Sequence, residues 1–246
     1  ISSAASDVYK RQYVLSWPQQ VRLAIRRRAQ IAWGDRNAAL VMCSAALFQA
    51  LIMGSLYFQM GDSSDALFSR SGVMFFAVLY NTFLAQADIP DSYLQRPILI
   101  RQQRFAMLRP SSDAIGASLL DIPVRAITLT VFMIVLYFMS GLSYDAGKFF
   151  IFYFTVMLCT YTMIAIFRML TAVFRSPAAA TMISGILVMD FALYTGFSIP
   201  RPSMVVWWRW LSYCNPVAFS YEILLTNEFR GRTFTCSPNS LVPRGG

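Results

Sequence analysis

Histidine is absent from this sequence, and its 12 acidic residues are outnumbered by 21 lysines and arginines. Without histidine, the commonest metal ligand and the side chain best suited to proton transfer near neutral pH are both missing. No recognisable nucleophile arrangement replaces them, so neither a catalytic residue nor a metal site is expected. Cysteine is also scarce: Cys43 and Cys159 fall inside apolar runs, and Cys214 and Cys236 lack metal-ligand spacing. Charge itself is sparse, at 13% of residues against 57% hydrophobic, which excludes an ordinary soluble domain and indicates a membrane protein. The net charge of +9 is spread between apolar runs rather than gathered in one patch, so no nucleic-acid partner is expected. No basic segment with a small-residue cleavage site opens the chain, which leaves the first span to act as its own signal. Residues 1–12 are small, polar and Ser-rich, and are set aside as a scar or disordered leader.

What is present is a series of long apolar runs. A helix needs roughly 20 apolar residues to cross a hydrocarbon core of about 30 Å. Five stretches meet or approach that length: about 38–58, 72–89 (bounded by Gly72 and Pro90), 124–142, 149–167 and 178–198. Strands of a membrane barrel would be shorter and alternating, so the expected fold is an all-α polytopic bundle of five transmembrane helices.

Lys and Arg in the short connections set its orientation. The N-terminal flank carries Arg22, Arg26, Arg27, Arg28 and Arg36; the connection after the second span carries Arg96, Arg101, Arg104 and Arg109; the next such connection carries Arg168 and Arg175. The opposite connections carry only Arg70 and Lys148, so the N-terminus is expected in the cytoplasm and residues 199–246 outside. Within the flank at 13–37, WPQQVRLAIRRRAQIAWG opens a helix at Trp17-Pro18, with Val21, Ala24, Ile25, Ala29, Ala32 and Trp33 near one face. Such a helix suits the inner membrane surface, although a plain basic flank also accounts for its charges. In the C-terminal stretch, Trp207, Trp208, Trp210 and Tyr213 suit a headgroup belt, and Asn215-Pro216 begins a helix through about Phe229. Arg209, Glu222 and Glu228 exclude a sixth full span there, which leaves a re-entrant segment.

Smaller signals divide between structure and function. GLSYDAGKF resembles a phosphate loop only superficially: Gly141 and Gly147 stand one residue too far apart and Phe149 replaces the Ser or Thr. Asp190, in the fifth span, is either a structural carboxylate facing another helix or a functional group. Asp121 and Arg125, four apart around Pro123, are expected to pair at a helix end. Phe76, Tyr80, Asn81, Phe83 and Gln86 form a broad face of the second span, available to a cavity or to packing against helices and lipid.

QRPILIRQQRFAMLRPSSDAIGASLLDIP carries a more specific signal. Its R-P-I, F-A, P-S and D-I-P elements (Arg96 to Ile98, Phe105-Ala106, Pro110-Ser111 and Asp121 to Pro123), with the basic Arg101 between them, resemble the ABC transporter G subfamily. The likeness is greatest to the first transmembrane domain of the fungal pleiotropic drug resistance type. GFSIPRPSMVVWWRWLSYCNPVAFSYEILLTNEFRG and QVRLAIRRRAQIAWGD are similar to further motifs of that family, so the resemblance covers nearly all of 13–246. It implies a half-pathway for ATP-driven export of amphipathic drugs or lipids across the plasma membrane, with a sixth helix and the nucleotide-binding domains outside this fragment.

The resemblance also implies partners and sites. ATP and magnesium belong to the nucleotide-binding domains, and a second transmembrane half completes the pathway. A coupling helix about 100–112, with Arg101, Arg104, Phe105, Met107 and Arg109, would dock on a nucleotide-binding domain. The connecting helix with Arg26, Arg27 and Arg28 would make the companion contact. Cavity positions fall on Phe83 beside Asn81 and on Met189 and Ala192, while Phe197-Ser198 replaces the family's paired leucines. Ile100 stands where an acidic residue is frequent, and Leu108-Arg109 replaces an aromatic-histidine pair. A sterol or phospholipid translocator is the alternative within the family; a channel or membrane scaffold without an ATPase is the alternative outside it.

Overall fold

The computed structural model describes residues 15–64 and 66–235; residues 1–12, Cys236 and the rest of 236–246 lie outside them. Among the described residues the chain is helical, with no strand beyond an isolated bridge between Ser63 and Thr235. The helices are α1 (Trp17–Gly34), α2 (Arg36–Leu56), α3 (Ala66–Gln86), α4 (Asp88–Arg104), α5 (Pro110–Ser140), α6 (Ala146–Val173), α7 (Pro177–Leu193), α8 (Arg209–Tyr213) and α9 (Pro216–Phe229), with a 3-10 turn at Arg201–Ser203. Stretches within Ala39–Leu56, Ala66–Arg104, Pro110–Ser140 and Ala146–Val173 are long and apolar enough to cross a membrane. At 17 residues, α7 is apolar but spans only about 25 Å.

Helix ends differ from the expected spans for identifiable reasons. Gly72, expected to bound the second span, is buried inside α3, where the Tyr57 hydroxyl lies 3.2 Å from the place a Cβ would occupy. It is a close-packing position rather than a stop. Pro90 falls in the first turn of α4, where proline's missing N–H forfeits no intrahelical bond. The fifth apolar helix stops at Leu193, five residues early, because the chain turns through Gly196 at φ 99°. Asn215 does cap α9: its Oδ1 accepts from the Val217 and Ala218 N–H groups at 3.0 and 3.2 Å, and its Nδ2 donates to the Phe191 carbonyl at 2.7 Å.

The described residues form two compact units, one within 1–46 and 92–129 and the other within 47–91 and 130–246. In the first, α1 packs through Gln20 and Ala24, with Leu108, Ser112, Asp113 and Ala117 also buried. In the second, α3, α6, α7 and α9 all touch one another. Met74, Phe132, Leu136, Phe152, Met163, Phe167 and Leu224 fill this unit's interior, where close packing of side chains rather than release from water holds membrane helices together. Gly54 lets Met139 approach to 2.9 Å of the place its Cβ would take.

The second unit also buries charge. Arg70 is 1% exposed, although the sequence suggests only a loop cation. Its Nη1 donates to Glu228 at 3.0 Å and to the Gly141 carbonyl at 3.2 Å; its Nη2 donates to the Met60 carbonyl at 2.6 Å and to Asp62 at 3.2 Å. Glu228, itself 3% exposed, also accepts from Arg232 and from the Ser143 N–H. Losing Arg70 therefore strands several acceptors, whereas losing the Glu228 charge leaves Arg70 its carbonyls and Asp62. Arg70→Met should destabilise the protein by about 4 kcal/mol and Glu228→Gln by clearly less. Thermal unfolding of the purified full-length protein checks this ranking, and equal or reversed losses would contradict it.

Candidate functional site

The candidate residues fall into two groups, one around the turn between α4 and α5 and one along α3 and α7. Asp88 and Asp91 lie in the first turn of α4 and Arg101 and Arg104 in its last, each sign at the end the helix dipole favours. The helix stops at Arg104 because Ala106 turns left-handed, at φ 52°. The Met107 N–H then donates to the Gln102 carbonyl and the Ala106 N–H to the Gln103 carbonyl, both at 3.0 Å. This is the bonding of a Schellman cap, a place where glycine is usual. Alanine there carries roughly 1–2 kcal/mol of local strain.

The coupling helix expected over about 100–112 is consequently not one helix. It is the last turn of α4, a turn at 105–109, and the first turn of α5. Arg101, Arg104, Phe105, Met107 and Arg109 are all exposed on this one feature, while Leu108 between them is buried. Phe105 and Met107 are about two-thirds exposed, so two large apolar side chains stand among three guanidinium groups. Asp121 and Arg125 lie further along α5, either side of Pro123.

The connecting helix is tied to the same segment. Arg28 donates to Asp113 at 2.6 Å, and Arg27 approaches that carboxylate at 3.7 Å; Arg26 is exposed. The apolar side of α1 is divided, with Ala24 buried and Trp33 open. The sequence reading missed Gln20 and Asp113. The spacing of Gln20, Ala24 and Arg28, four apart on one face, was the available signal.

In the second unit, Phe76, Tyr80 and Phe83 form a stripe along α3, with Phe76 and Phe83 exposed and Tyr80 half-buried. Tyr80 stacks on Phe132 at 4.8 Å between ring centroids. Asn81, expected beside Phe83 in a cavity, instead points into the packed interior: it is 3% exposed and donates to the Ala77 carbonyl of its own helix at 2.8 Å. Two residues along a helix make a rotation of about 200°, which puts Asn81 and Phe83 on nearly opposite faces. Gln86 pins the end of α3 to α7, donating to Ser184 Oγ at 2.9 Å.

On α7, Met182, Ile186, Met189 and Leu193 form a second exposed apolar stripe, with Ala192 half-buried beside it. Asp190 is half-buried on the same helix. Phe197 does not stand free. It stacks on Phe75 at 4.6 Å and Phe68 at 5.3 Å, and meets Tyr221 and Phe76 edge-on. No cluster of three or more potential metal ligands occurs among the described residues. Cys43, Cys159 and Cys214 are free thiols.

With this arrangement in view, residues 19–229 match the ABC-2 type transporter membrane family. The chain belongs to that family. Similar proteins include Protein SNQ2 of Saccharomyces cerevisiae, 38% identical over 96% of this chain, and ABC multidrug transporter atrH of Aspergillus oryzae, 38% identical over 95%. ABC transporter G family member 10 of Dictyostelium discoideum is 37% identical over 95%. The chain spans 16% of the length of each of these relatives. This ABC-2 membrane domain is thus a multi-pass helical membrane protein whose relatives are several times longer.

Exposure separates the roles of two phenylalanines of the ABC-2 domain. Phe83→Ala removes a ring from an open face and should change stability by less than about 0.5 kcal/mol. Phe197→Ala empties an aromatic stack and should cost about 2 kcal/mol. Thermal unfolding of the two variants checks the contrast, which fails if Phe83→Ala is the more damaging.

Proposed function

We propose that this domain forms a transmembrane half-pathway of an ATP-driven exporter of amphipathic drugs. The nucleotide-binding domains and the second membrane half would lie elsewhere in the full-length chain, where ATP and magnesium supply the driving reaction. The observation that carries the reading is the Phe76–Tyr80–Phe83 stripe, exposed at Phe76 and Phe83 and half-buried at Tyr80, on a helix whose other face is packed. Aromatic faces bind flat amphipathic molecules without demanding one pattern of hydrogen bonds. The ABC multidrug transporters share this region at 36–38% identity, which favours drugs over sterols or phospholipids.

The turn at 105–109 is the docking surface for a nucleotide-binding domain in this reading, with its basic side facing the cytoplasm of a plasma-membrane protein. Phe105 and Met107 supply apolar anchors, and Arg101 and Arg104 supply charges for acidic or backbone acceptors on the partner. Transport requires that substrate affinity differ between two conformations, so movement at this turn must reach the membrane helices.

Two measurements on the full-length protein test the reading. Phe83→Ala should alter which members of a drug panel stimulate ATP hydrolysis; an unchanged stimulation profile removes Phe83 from the substrate site. Reversing Arg101 and Arg104 together to Glu should lower efflux at least tenfold while ATP hydrolysis persists, about 1.4 kcal/mol of lost coupling. Normal efflux at normal surface expression would count against the docking role.

A further inference from the structure

Arg28 touches both helices that flank the exposed turn. Its Nη2 donates to Gln95 Oε1 of α4 at 2.9 Å and to Asp113 Oδ2 of α5 at 2.6 Å, and its Nε donates to Asp113 Oδ1 at 3.4 Å. One turn back along α1, Ala24 meets Gly116 so closely that a Cβ on Gly116 would lie 3.0 Å from the Ala24 Cβ. A further turn back, Gln20 Oε1 accepts from the Arg109 backbone N–H at 3.0 Å and from Ser112 Oγ at 3.4 Å. Gln20, Ala24 and Arg28 therefore hold the start of α5 along three successive turns of α1. The outermost contact grips the last residue of the 105–109 turn itself.

Burial gives this clamp its stiffness. Asp113 is 1% exposed and Gln20 1% exposed, so parting α1 from α5 would strip the Asp113 carboxylate of its Arg28 partner and the Gln20 Oε1 of its two donors, while Gln20 Nε2 keeps the Leu15 carbonyl. The carboxylate also lies in the first turn of α5, where the helix dipole favours it. The strained Ala106 makes the turn a natural hinge between α4 and α5, while Arg28 bridges the two sides of that hinge.

We infer that Arg28, acting through Asp113 and Gln95, is a positioning residue that locks α4 and α5 at fixed separation, so that a push on the exposed turn moves both helices. The inference rests on the efflux reading above. Arg28 does not need to touch the nucleotide-binding domain or the drug. Its charge sets how faithfully one is transmitted to the other.

The test uses the full-length transporter in membrane vesicles, measuring drug exported per ATP hydrolysed. Arg28→Asp and Asp113→Arg alone should each lower that ratio on the order of fivefold, and the double exchange should bring it back to within about threefold of wild type. A purely structural role would reduce the amount of folded protein and leave the ratio per molecule unchanged, which would overturn the inference. So would a double exchange no better than either single variant. If a reversal fails to reach the membrane, the near-isosteric Asp113→Asn is read instead, with a ratio lowered at least twofold expected and an unchanged ratio overturning the inference. Wild-type protein without ATP-driven efflux would remove the efflux reading and this inference together; wild-type efflux with unaltered ratios in the variants would remove this inference alone.

Discussion

A guanidinium group withdrawn from water is tolerated only where each of its N–H groups finds an acceptor, and Arg70 imposes that constraint on the larger unit. Its acceptors come from three separate places: the segment after α2 (Met60, Gly61, Asp62), the turn after α5 (Gly141) and the end of α9 (Glu228). None of these is a regular helix neighbour of the others. Apolar packing of α3, α6, α7 and α9 supplies most of the burial, but oily surfaces are interchangeable in a way that directed hydrogen bonds are not. The charge network is what selects one arrangement of the connections, with Lys148 extending it to the Glu228 and Arg230 carbonyls.

The smaller unit solves a related problem with a different group. Here the buried charge is the Asp113 carboxylate, and the helix that satisfies it lies far earlier in the chain. Sequence alone suggests that α1 rests on a membrane surface by its apolar face. The structure commits part of that face to α5 and turns Arg28 inward, leaving Arg22 and Arg26 exposed. A basic stretch therefore divides into arginines that serve the fold and arginines that remain available to a partner or to lipid headgroups.

Departures from the pattern that the family resemblance implies acquire a physical meaning in this setting. Arg109 replaces a usual histidine, yet what α1 grips at this position is a backbone N–H, which any residue but proline provides. Ile100 replaces a frequent acid and is half exposed on α4, so that position offers an apolar contact in place of an ion pair. Phe197 replaces a leucine and is held by rings from α3 and α9, which gives the position shape and orientation rather than simple bulk.

The sequence by itself determined the all-helical membrane class, the approximate places of the apolar runs, the start of α9 at Asn215-Pro216, and the family, because hydrophobic length, capping chemistry and spaced motifs are local properties. It also put Arg101, Arg104, Phe105, Met107 and Arg109 on one feature. Only the tertiary structure decided which side chains face inward: Arg70 read as a loop cation and Glu228 as a charge that excludes a sixth span, and both proved buried; Asn81 read as a cavity amide and bonds within its own helix, and Asp113 carried no signal until Arg28 was beside it. In a chain whose membrane-length helices are apolar all round, periodicity cannot tell the lipid side from the protein side. That choice is made by which distant polar groups must be paired, and such pairing is a property of the fold rather than of any segment.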